Sequence, residues 1–355
     1  MQNIFLIGNG FDLSHNMNTG YKHFVDYIFT SFYNEYCNEI SNRKIIDINI
    51  KNPFIIFQLN FKGGTNNYHY ENQKYYQDII DKLSKVTGYE SFRKILDQIK
   101  IEYDLDIKNN YDNNIIFENI IKEFEKNKNW VDIERLYFRL LISERNTEEL
   151  NTDFNILKDE FEIYLKSLNP TKTINQYKDF FSHFQAKDFN LILNFNYTDT
   201  FKQYLPTNFE IINIHGELKN QNNKIIFGYG DYESDEYKTI ESLDENKKLK
   251  NIKLFDYSQT DNYEKLTHKL GEDFDVHILG HSCGLSDRGL LREIMNRKEC
   301  LNIYIYYYEY EVSGKIEDDF IDKVQNLSRC FDNKQDFIRK VRHKNPNYKM
   351  FQTDK

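Results

Sequence analysis

Asn3-Ile-Phe-Leu-Ile-Gly8-Asn9-Gly10-Phe11-Asp12 opens the chain with a short apolar run followed by a glycine-bracketed turn. Ile4 to Ile7 carries no polar alternation, so it reads as a strand buried on both faces. Glycines after such a strand let the backbone turn sharply. They also let it approach a phosphate, whose charge the next helix's N-terminus favours. The turn reads equally as a tight strand-to-loop connection. It is not a dinucleotide fingerprint, because Leu13 stands where a third glycine is needed, and no Walker lysine follows.

The same kind of strand recurs later. Leu191–Phe195, Glu210–Ile214, Lys224–Phe227, Val276–Leu279 and Leu301–Tyr306 are short runs rich in Ile and Tyr, separated by helix-length segments. With the first strand they predict an α/β fold built on a doubly wound, mostly parallel sheet with helices on both sides. Between these strands the text is helical. Tyr21, Phe24, Val25, Ile28, Phe29 and Phe32 keep a helical stripe, as do Ile116, Phe117, Ile120, Ile121 and Phe124. Helical periodicity runs from about 76 to 168, and Thr152-Asp153-Phe154 is expected to open its last segment. We therefore expect residues 1–40 and 171–315 to form one discontinuous domain. Residues 41–170 would be a mostly helical insertion, and 316–355 C-terminal helices.

Composition narrows the function. The 355 residues include only 14 Gly and 4 Pro, against 28 Phe and 27 Tyr. That favours long helices and a large aromatic core over a linker-rich or disordered chain. A net charge of −9 makes nucleic acid a poor partner. No run of 18 apolar residues and no signal-peptide pattern is present, so a cytoplasmic protein without membrane attachment is expected. Cys37, Cys283, Cys300 and Cys330 show no C-x-x-C spacing, which predicts reduced thiols and no metal site.

Three further motifs stand at strand ends. Asn194-Phe-Asn196-Tyr197-Thr198-Asp199 offers amide and carboxylate side chains for a ligand or for capping the next helix. In Ile214-His215-Gly216, the histidine is suited to act as a general base or as a structural hydrogen-bonding residue. Gly280-His281-Ser282-Cys283-Gly284 spells the serine nucleophile elbow of hydrolases, but only His343 follows as a partner base. The other reading is a turn whose amides and hydroxyls hold phosphate or ribose.

Together these motifs resemble the bacteriophage abortive infection AbiH family. The resemblance rests on Leu6–Leu13, Thr19-Gly20-Tyr21, Asn194–Thr200, Ile214–Gly216 and Gly280–Asp287. More distantly, their order resembles the sirtuin/DHS-like, Rossmann-like NAD-binding fold. That resemblance implies an anti-phage protein binding and hydrolysing NAD, with Asn196 and His215 catalytic. Gly8, Asn9, Gly10, Gly216, Gly280, His281 and Ser282 would hold the nucleotide, and Asp12 and Asp287 the ribose hydroxyls or helix caps. The cysteine pairs of sirtuin deacylases are absent, which counts against protein deacylation. A nucleotide-binding sensor without turnover, answering a phage-derived trigger or self-assembling as a homo-oligomer, is the alternative. A serine hydrolase using Ser282 is the second alternative.

Overall fold

The computed structural model describes residues 2–43, 52–61, 72–103, 105–127, 132–143, 146–170, 172–185 and 189–353. Its strands are β1 (Gln2–Ile7), β2 (Ile56–Phe61), β3 (Leu105–Asn110), β4 (Asn190–Asn194), β5 (Phe209–Asn213), β6 (Phe274–Leu279), β7 (Cys300–Tyr306), β8 (Glu309–Val312) and β9 (Lys315–Asp318). The chain divides into two compact units. One comprises Met1–Thr19, Tyr137–Asn151 and Leu165–Lys355; the other comprises Gly20–Leu136 and Thr152–Tyr164.

In the first unit β5, β4, β1, β6 and β7 lie side by side in that order, every neighbouring pair parallel. Taken in their own succession they run third, second, first, fourth, fifth across the sheet. The order reverses beside β1. In open α/β sheets the loops diverge at such a point, and ligands bind in the crevice outside the strands' carboxyl ends.

Both faces of the sheet are covered, which is why its strands lack polar alternation. On one face Ile4, Leu6, Leu193, Val276 and Ile278 pack with Leu290, Leu291 and Ile294 of the helix Arg288–Asn296. On the other, Phe5, Ile7 and Ile192 pack with the helix Gln176–His183 and its neighbours. The Phe5 ring meets Phe181 at 5.5 Å and Phe184 at 5.0 Å. Full burial of each such side chain stabilises the fold by about 1.5–3 kcal/mol.

One expected strand is not formed. Lys224–Phe227 runs as irregular backbone, buried from Ile225 onward, because the Ile226 amide donates to the His215 carbonyl at 2.8 Å instead of joining β5. The chain makes a single bridge two residues later, between Tyr229 and Ile252. At the C-terminal end, the antiparallel hairpin β8–β9 precedes two short helices, Phe320–Ser328 and Lys334–Lys340. The tail then lies along β7, with parallel bridges from Ile303 to Val341 and from Tyr307 to Lys349.

The second unit is helical, with β2 and β3 paired antiparallel. The helix Tyr21–Arg43 buries Phe24, Val25, Ile28, Phe29 and Phe32, the stripe read from the sequence. Its Phe29 and Tyr33 rings stack on Phe92 at 5.4 and 4.7 Å. The helix Thr147–Ser167, which belongs partly to each unit, begins before Thr152 because the Asn146 side chain caps it by accepting from the Glu149 amide. Among the described residues no helix is long and apolar enough to cross a membrane. All four cysteines are free and buried.

Candidate functional site

The loops after β1, β4, β5 and β6 all leave the carboxyl edge of the first unit's sheet, and hydrogen bonds join them. The β1 and β6 loops meet backbone to backbone. Gly8 N donates to the Leu279 carbonyl at 3.0 Å, and Gly10 N donates to the Gly280 carbonyl at 2.8 Å. A Cβ on Gly280, whose φ is +74°, would fall 2.2 Å from the Phe11 nitrogen. The space beside Gly8 is closed by the His281 backbone. These glycines permit loop-to-loop contact. Phosphate binding through the Gly8 and Gly10 amides does not fit, since both already donate to carbonyls.

The β4 loop is fastened to the β1 loop. Asn196 is buried and its Nδ2 donates to the Gly8 carbonyl at 3.1 Å. Asn194 holds this turn in shape, donating to the Asn196 carbonyl and to the Asn213 amide oxygen, each at 2.9 Å. Thr198 donates through its hydroxyl to Asp12 Oδ2 at 2.5 Å. Asp12 lies inside the short helix Asn9–Ser14, so it caps nothing through its side chain. Its Oδ1 is buried without a hydrogen-bond partner among the described residues. Burial pushes its carboxyl up to about 6, with the Thr198 hydroxyl opposing the rise. Asn9 is exposed, and its amide oxygen accepts from the Thr19 hydroxyl at 2.5 Å.

Asp287 is the centre of the site. It occupies the N-cap position of the helix Arg288–Asn296, yet its carboxylate makes no capping bond there. Instead Oδ1 lies 3.1 Å from His215 Nε2 and 2.7 Å from Lys253 Nζ, and Oδ2 lies 3.3 Å from His281 Nε2. The side chain keeps 13% exposure, whereas Lys253 is 1% exposed. Burial alone would push Asp287 up, but the Lys253 charge and His215 outweigh it and hold the carboxyl well below the usual range.

Hydrogen bonding sets both histidine tautomers. His281 Nδ1 accepts from the Cys283 amide at 3.0 Å, so its proton sits on Nε2 and points at Asp287. His215 Nδ1 lies 3.0 Å from the Phe195 carbonyl, to which it must donate. Nε2 is then the nitrogen that gains or loses a proton, with the Tyr257 hydroxyl 3.3 Å away. Burial, helped by Lys253, pulls His215 below its ordinary value, while Asp287 acts against that shift. A neutral imidazole that takes a proton on Nε2 would therefore form its cation directly beside a carboxylate. Gly216 follows with φ +81°.

Lys253 and Tyr257 carried no motif in the sequence. The only hint of burial was the place of Lys253 between Ile252 and Leu254. Ser282 lies apart from this network. It is exposed, and its hydroxyl makes no hydrogen bond among the described residues. The left-handed residues of its loop are Gly280 and Cys283, whereas an elbow strains the nucleophile itself. Among the described residues, no group of three His, Cys, Asp or Glu side chains could hold a metal ion.

A family model described as bacteriophage abortive infection AbiH matches residues 4–310, a span that contains all four loops. The chain belongs to the AbiH family. AbiH membership associates it with abortive infection of bacteriophage. No curated protein and no solved structure matches this AbiH chain.

Proposed function

We propose that this AbiH protein acts in phage defence by binding NAD at the carboxyl edge of its parallel sheet and hydrolysing the nicotinamide glycosidic bond. The fold is then read as sirtuin-like. One observation carries the proposal: four loops converge on a buried His215–Asp287 pair beside the point where the strand order reverses. Breaking the bond to nicotinamide develops positive charge at the ribose carbon, and water must lose a proton as it attacks. His215 Nε2 takes that proton, and Asp287 stabilises the resulting imidazolium, itself balanced by Lys253. Products are nicotinamide, ADP-ribose and a proton. Asn196 would hold the water or the nicotinamide ribose. With the two glycine amides engaged, the exposed Asn9 and Ser282 are the side chains left to meet phosphates.

The test is nicotinamide release from NAD by the purified chain, alone and with lysate from phage-infected cells. His215→Ala and Asn196→Ala, checked for folding by circular dichroism, should each lose about 10²–10⁴-fold in rate. NAD binding without release under both conditions would favour the nucleotide sensor. Absence of both binding and release would overturn the reading.

A further inference from the structure

The loop after β6 turns back on the ring of its own His281. The Cys283 amide donates to His281 Nδ1 at 3.0 Å, and Cys283 sits in the left-handed region at φ +54°. A backbone amide can only donate, so Nδ1 is the accepting nitrogen and Nε2 carries the proton. That proton meets Asp287 Oδ2, 3.3 Å away. The ring is packed as well as bonded. His281 is buried, and Phe195 meets it edge to face at 4.3 Å while meeting His215 in the same manner at 5.2 Å. On its backbone side, a Cβ on Gly8 would fall 2.4 Å from the His281 Cα. Bond, ring and backbone contacts hold the imidazole with Nε2 towards Asp287.

The consequence lies at Asp287. A carboxylate turns about its last bond unless both oxygens are engaged, and the Asp287 side chain makes no capping bond to its helix. With Oδ2 facing His281, Oδ1 is the oxygen 3.1 Å from His215 Nε2 and 2.7 Å from Lys253 Nζ. We propose that His281 is a positioning residue, which holds Asp287 Oδ2 so that Oδ1 is presented to His215, its two ring nitrogens engaged by the protein and not by the nucleotide. This replaces the nucleotide-holding role that the resemblance implies for His281. The effect on turnover rests on reading His215 as the base of NAD cleavage, whereas the hydrogen-bonding pattern does not.

The test begins with nitrogen-15 histidine labelling of the unliganded wild-type chain at pH 7.5. His281, assigned by its absence from the His281→Gln spectrum, should show a protonated Nε2 and a bare Nδ1. A protonated Nδ1 would overturn the proposal. Next, the two variants are compared. Gln can donate where Nε2 stood and Phe cannot, while neither carries a charge. In His281→Phe, kcat for nicotinamide release should fall by up to about 10²-fold with KM little changed, as for a misplaced catalytic group. His281→Gln should recover most of that loss. A raised KM with kcat unchanged would mean direct contact with NAD and would overturn the proposal. His215 is faced by Asp287, Lys253, His281 and the Tyr257 hydroxyl, and Asp287 favours its protonated form. His215 should therefore take up its proton at a lower pH in His281→Phe than in His281→Gln. Equal midpoints in the two folded variants would show that Asp287 keeps its place without His281. If wild type releases no nicotinamide, the NAD reading fails, and the two NMR measurements still decide the positioning role.

Discussion

Asp12 shows how far one side chain's chemistry depends on its setting. The sequence presents it as the end of a turn, with roles in capping or ligand binding. Burial within the helix Asn9–Ser14, with one oxygen bonded to Thr198, pushes its carboxyl up to about 6. The native value lies above the unfolded one, so the folded chain holds the extra proton in between. Stability from protonated Asp12 is complete below about pH 4 and is lost as pH rises to about 6, a change of about 3 kcal/mol. Urea denaturation at pH 4, 5, 6 and 7 should show that slope, and Asp12→Asn should remove it. Equal slopes for wild type and variant would mean that Asp12 titrates normally. Asp287 is shifted the other way, because Lys253 and the two histidines surround it. The positions of both carboxylates were legible from their strand-end motifs. Their opposite shifts were not, since Lys253 is distant in sequence and has no motif of its own.

Among the elements, the five strands of the parallel sheet were legible because burial on both faces leaves uninterrupted apolar runs, whereas β3, Leu105–Asn110, lies inside the stretch 76–168 that reads as helical and carries no such run. Lys224–Phe227 satisfies the same pattern without being a strand, for an apolar run reports burial and cannot report which backbone partner is taken. Here the His215 carbonyl takes the Ile226 amide. The opposite problem arises at β7, whose free edge is sealed by residues expected only as part of the C-terminal helices 316–355. Arg342 N donates to the Ile303 carbonyl at 2.9 Å, Tyr348 accepts from Tyr307 N at 3.0 Å, and Met350 N donates to the Tyr307 carbonyl at 2.8 Å. An uncovered strand edge is a template for association. Deleting residues 346–355 should therefore lower the melting temperature and produce concentration-dependent oligomers in size-exclusion chromatography. A truncated chain that stays monomeric and melts as wild type does would show that the tail is dispensable to the edge.

For the whole molecule, charge and topology answer different questions. A net charge of −9 opposes phosphate backbones at long range. Duplex DNA should not be retarded by the chain in a mobility-shift assay at about 50 mM salt, where electrostatic binding is strong. A shift that disappears with added salt would instead reveal a local basic surface. The amino-acid sequence by itself determined the α/β class, the strand-end positions of the four motifs and the AbiH resemblance. Each depends on local patterning: apolar runs, helical spacing, and glycines beside polar residues. Tertiary structure alone decided that Asp287 joins His215, His281 and Lys253 and that Gly10 faces Gly280. These are contacts between residues far apart in the chain. They follow from the parallel order in which five strands assemble, and no local pattern encodes that order.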